Sequence, residues 1–133
     1  MHPTSRFRSA STLCRALGAG VLLACASLAI GCAAGGAVQA LVAEQPVAFE
    51  GRVASVDLSP WAYDGNGVVV VDTAAHGAVA VQFPARWNLC RATPPEALDA
   101  LKPGERVRVV ARASGPAEAV VCADASHGLT PLR

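Results

Sequence analysis

Two cysteines, three arginines on one strand and two histidines are the residues of the C-terminal part of this 133-residue chain whose types invite chemistry. Cys90 and Cys122 form no Cys-x-x-Cys motif. In an exported chain such an even pair reads as a disulfide and has no redox role, the alternative being two buried free thiols. The bridge would close a loop of about 32 residues and stabilise the fold by roughly 3–4 kcal/mol through the unfolded state. Arg106, Arg108 and Arg112 share a strand face, a stripe that tracks phosphates in a nucleic-acid binder or, paired with acids such as Glu105 and Glu118, forms a solvated surface. His76 and His127 lack a second ligand at metal spacing, and Asp57, Asp64 and Asp72 lack the order of a calcium loop. With no nucleophile elbow, phosphate loop or zinc signature, no catalytic residue, metal or cofactor is expected, and the chain does not read as an enzyme.

Aromatic residues are few, and two stand where a turn normally carries small polar ones. Trp61 and Tyr63 lie in Ser59–Gly67, "SPWAYDGNG", and a second tryptophan lies in Pro84–Ala92, "PARWNLCRA". Aromatic loop residues act as recognition anchors or fold back to cap a core. Trp61, Tyr63, Asp64, Arg86 and Trp87 are therefore the candidate ligand-binding residues. Trp87 also reads as a lid beside Cys90, with Arg86 or Arg91 answering a carboxylate such as Asp57 or Asp64.

The elements that must position these residues are mostly strands. Val47–Leu58 changes its apolar face midway, which predicts a bulge or bend near Gly51 or Val53. Val68–Val71 is a run of four valines, and Val79, Val81 and Phe83 alternate with smaller or polar residues. Thr93-Pro94-Pro95-Glu96 has the form of a capping box, predicting a two-turn helix that ends at Pro103-Gly104. Val107, Val109 and Ala111 alternate with the arginines, and Ala119–Ala123 supplies a last strand.

The N-terminal part reads as an export signal. Arg6, Arg8 and Arg15 precede an uncharged stretch running from Ala16 to Ala43. Leu22-Leu23-Ala24-Cys25 and Ala29-Ile30-Gly31-Cys32 both resemble the lipobox of bacterial lipoproteins, which implies lipidation of Cys32 or, alternatively, Cys25. A plain signal peptide cut after Ala40 and an uncleaved membrane helix are the other readings. The expected division is a signal over 1–31, a flexible tether over 32–46 and a domain over 47–133. All ten acidic residues follow Cys32, whereas three of the eleven Lys+Arg precede it. The part beyond the signal is therefore net acidic although the whole chain carries +1, which disfavours a nucleic-acid partner.

Three strands, a helix and two further strands, with "LKPGERVRVVARA" as helix exit and fourth strand, resemble the OB-fold of small bacterial exported or lipoprotein domains. The resemblance implies a mainly β, five-stranded barrel with one short helix between strands three and four. It also implies ligand binding at the connections between strands one and two and between strands four and five, here "SPWAYDGNG" and "SGPA". The expectation is a non-catalytic lipoprotein module of the cell envelope, tethered to a membrane by its lipid and facing the periplasm, that binds a protein or small ligand. Soluble periplasmic or secreted protein is the alternative location; a nucleic-acid-binding or purely structural protein is the alternative function.

Overall fold

The computed structural model describes residues 36–133. The expected signal and both lipobox cysteines, Cys25 and Cys32, lie outside the described residues. Six strands form one sheet: β1 (Pro46–Asp57), β2 (Gly67–Thr73), β3 (Gly77–Phe83), β4 (Arg106–Gly115), β5 (Glu118–Val120) and β6 (Gly128–Pro131). Their order is β1-β2-β3-β5-β4-β6, and β1 also pairs with β4. The first five strands thereby close into a mixed barrel, antiparallel except for the parallel β3–β5 pairing.

Period-two alternation builds the interior. Val69, Val71, Val79, Val81, Phe83, Val107, Val109, Ala111 and Val121 are wholly buried, while Arg106, Arg108 and Arg112 project outward between their buried neighbours. The four-valine run alternates too, with Val68 and Val70 only half-buried. Side chains on a barrel strand point alternately inside and outside, so each β2 valine chooses a face.

Strand β1 serves two partners. Its first half runs along β4 from Pro46↔Arg112 to Arg52↔Arg106, and its second half along β2 from Arg52↔Asp72 to Asp57↔Val68. Gly51 sits where the partners change, and a β-carbon there would run into the Asp72 carbonyl and the Val71 side chain. The register slips just beyond, between Val53 and Ser55. A glycine and a bulge together let one strand bend between two neighbours.

The two-turn helix expected between Thr93 and Pro103-Gly104 is instead a single 3-10 turn, Leu98–Ala100, preceded by Ala97 at a left-handed φ of 51°. A residue before a proline is steered away from the α region, so Pro94, ahead of Pro95, is disfavoured as the first helical residue after a Thr93 cap. Leu98 nevertheless enters the core. The Cys90–Cys122 disulfide is formed, with Cα atoms 4.6 Å apart.

The stretch expected as a tether differs as well. From Gln39 onward it lies on the barrel: Gln39 N donates to Ala75 O, Leu41 N to Pro116 O and Glu44 N to Ala113 O, each at 2.8 Å. Leu41 is buried, and an apolar residue with a bonded backbone does not behave as a linker. Strand β6 was not foreseen; it follows β5 along the same side of β4. Among the described residues no helix is long and apolar enough to cross a membrane.

Candidate functional site

The connection between β1 and β2 is a built structure. Asp57 Oδ1 accepts from the Ser59 hydroxyl and from Ser59 N, and these two bonds hold the Asp57 carboxyl below its ordinary range. They lead into the 3-10 turn Ser59–Tyr63, with Pro60 near its start and Asp64 at a φ of 60° after it. Aspartate tolerates the left-handed region better than most residues. Gly65 N then closes the turn on Pro60 O at 2.9 Å, and Asn66 Nδ2 donates to Gln82 Oε1 at 2.7 Å.

This frame lays Trp61 against the barrel end. Its Nε1–H donates to Phe83 O at 2.8 Å, and a β-carbon on the buried Gly67 would stand 2.9 Å from the indole. Glycine at 67 therefore gives the ring its seat. The indole is half-buried and packs against the core. Tyr63, the other candidate aromatic of this loop, does not cap the core: it is 88% exposed, because a three-residue-per-turn helix does not place residues two apart on one face.

Trp87 comes from the far side of the same end. It opens the 3-10 turn Trp87–Leu89, stacks on Phe83 with ring centroids 6.4 Å apart, and donates Nε1–H to Ala92 O at 3.1 Å. Phe83 thus supports both indoles, one through its carbonyl and one through its ring. Between them runs a groove of about 220 Å³ lined by Trp61, Pro84, Ala85, Trp87, Pro94 and Pro95. Arg86 reaches Asp64 at 3.1 Å across exposed surface, so of the carboxylates considered, Asp64 is its partner. An exposed pair of this kind contributes about 0–1 kcal/mol and leaves both groups accessible.

The structure thus brings together Trp61 and Trp87 at the groove and Asp64 with Arg86, and leaves Tyr63 free in solvent. The three prolines and Ala85 were missed. Their signal in the sequence was proline flanking both ends of the Trp87 segment.

The connection "SGPA" does not join this site. Gly67, at the groove end, pairs with Phe83, whereas Pro116 O accepts from Leu41 N and Ala117 O from Ala80 N. "SGPA" thus lies beside β3 at Ala80 and is bonded by Leu41. The arginine stripe is answered by acids other than those expected: Arg106 meets Glu50 at 3.4 Å and Arg112 meets Glu44 at 3.5 Å. Glu50 also lies opposite Arg108 in the register.

The groove offers flat apolar faces whose indole N–H groups are already bonded, with no titratable side chain in its lining. No protein family, characterised protein or solved structure matches this chain.

Proposed function

We propose that this chain is a non-catalytic binding module of the cell envelope, an exported OB-fold-type barrel that takes a protein or small ligand in the Trp61–Trp87 groove. The observation that carries the reading is the fixing of both indoles on Phe83 across an open apolar groove. A side chain that serves only as a core lid has no need of a second fixed aromatic lining the same groove. Fixed aromatics lose little conformational entropy on binding, which makes them good anchors.

The barrel order and the parallel β3–β5 pairing support the OB-fold reading. The pairing of Arg106 and Arg112 with glutamates favours a protein or small-molecule ligand over nucleic acid. The basic, then uncharged, N-terminal sequence supports export with lipidation at Cys32 or Cys25.

Two experiments test this. Ala85→Arg fills the groove from its half-buried edge. It should abolish capture of the ligand from an envelope extract while leaving thermal unfolding unchanged; retained capture rules out the groove. Labelled palmitate should enter the wild type and be lost in either Cys32→Ser or Cys25→Ser; an unlabelled wild type refutes the anchor.

A further inference from the structure

A second cavity, of about 380 Å³, lies away from the aromatic groove, and Pro46, Arg91, Arg112, Asp124, Ser126 and His127 are among its lining residues. The disulfide lies next to it, each cysteine being followed by a lining residue, Arg91 and Ala123. Cys90 is tied to Cys122, and Cys122 O accepts from both Arg91 N at 2.9 Å and Ala92 N at 3.1 Å, which fixes Arg91 beside the loop that ends at His127. Arg112 enters from β4, opposite Pro46 of β1.

His127 is the one buried polar residue among those described, only 8% exposed. Its Nδ1 accepts from Cys122 N at 3.4 Å, so the neutral ring carries its proton on Nε2. Nε2 makes no hydrogen bond within the described protein. It is not sealed off either, because no fully occluded side-chain polar atom there lacks a partner. The ring therefore offers one free N–H donor, and the cavity it lines supplies the space.

The charges around it favour an anion of low charge. Arg91 forms no ion pair among the described residues, and Arg112 holds Glu44 only loosely at 3.5 Å. Asp124 limits how much negative charge the site tolerates. Its Oδ1 is taken by Ser126 N and Oγ, bonds that hold the carboxyl below its ordinary range, with His127 and Arg91 adding to the effect. Two guanidinium forks and a neutral imidazole donor, set against Asp124 in the lining and Glu44 on Arg112, suit a planar monoanion better than a phosphate dianion.

We infer that the cavity between Arg91, Arg112 and His127 is a binding site for a small monocarboxylate, held by the two guanidinium groups and the His127 Nε2–H. The disulfide and the bonds of Arg91 N and Ala92 N to Cys122 O together hold Arg91 in the lining that it shares with the buried histidine.

The test is a titration of the full chain with sodium acetate, and separately with inorganic phosphate, at ionic strength held constant with chloride. The assigned ring signals of His127 report binding, and those of His76 serve as control. Acetate should shift His127 saturably and leave His76 unmoved, and Arg91→Gln should weaken this about tenfold without changing the melting temperature. Phosphate should bind more weakly than acetate in the wild type and gain in Asp124→Asn. Absence of a saturable acetate shift overturns the proposal, as does unchanged affinity in Arg91→Gln. Phosphate binding as tight as acetate overturns the choice of a monocarboxylate.

Discussion

Removing the Trp61 indole separates the two contributions that seat the β1–β2 connection. Trp61→Ala loses both the Nε1–H bond to Phe83 O and the half-buried ring over Gly67. The hydrogen bond is worth about 1 kcal/mol. Full burial of a large apolar side chain is worth about 1.5–3 kcal/mol, so half-burial contributes about 1–1.5. The expected loss is about 2–2.5 kcal/mol, a lowering of the melting temperature by roughly 10 °C for a domain of this size. Trp61→Phe retains most of the ring and loses the bond, and should cost about 1 kcal/mol. Urea unfolding followed by circular dichroism, with the disulfide intact, measures both through the midpoint at unchanged slope. A cost below about 0.5 kcal/mol for Trp61→Ala, or equal costs for the two variants, refutes the seating of the ring described above.

Other perturbations probe the rest of the fold. Replacing Cys90 and Cys122 together by serine should cost about 3–4 kcal/mol in the same assay, and a cost under about 1 kcal/mol contradicts a stabilising bridge. Gly51→Ala should cost about 2–3 kcal/mol by forcing β1 from β2, more than Gly104→Ala, where a φ of 92° is strained but the space is open; the reverse order contradicts the close approach at Gly51. Burial, foremost, pushes the His127 pKa below its ordinary value of 6.5, so the unfolded chain binds the proton first and stability should fall as pH drops below that value. Asp57 and Asp124, lowered from 3.8 by their serine bonds, extend the loss at more acid pH. His127→Asn should remove the first part of the profile only, and an unaltered profile in that variant contradicts the assignment.

The barrel was legible because its strands alternate. Val79, Val81 and Phe83, and Val107, Val109 and Ala111, announce an inward face through their own spacing. The change of face in β1 marked its bend to within a few residues. The capping pattern at Thr93 misled because a pattern of residue types ignores the backbone conflict between consecutive prolines. Residues 39–45 escaped notice because their attachment is mostly through backbone hydrogen bonds, which leave no side-chain signature. At the candidate site, Trp61 and Trp87 stood out by type and position. Their convergence depends on Phe83, a core residue whose carbonyl and ring each hold one indole, and no local pattern connects three such positions.

Ligand binding in the Trp61–Trp87 groove, as proposed above, is read most directly at the two indoles. Both indole N–H groups are hydrogen-bonded and give two separate signals in an amide correlation spectrum. Adding fractionated envelope extract to the labelled protein should move both indole signals together with those of Ala85 and its neighbours, and should leave Arg106 and Arg108 unmoved. Shifts confined to the β4 arginine face, with both indoles unchanged, would contradict binding in the groove.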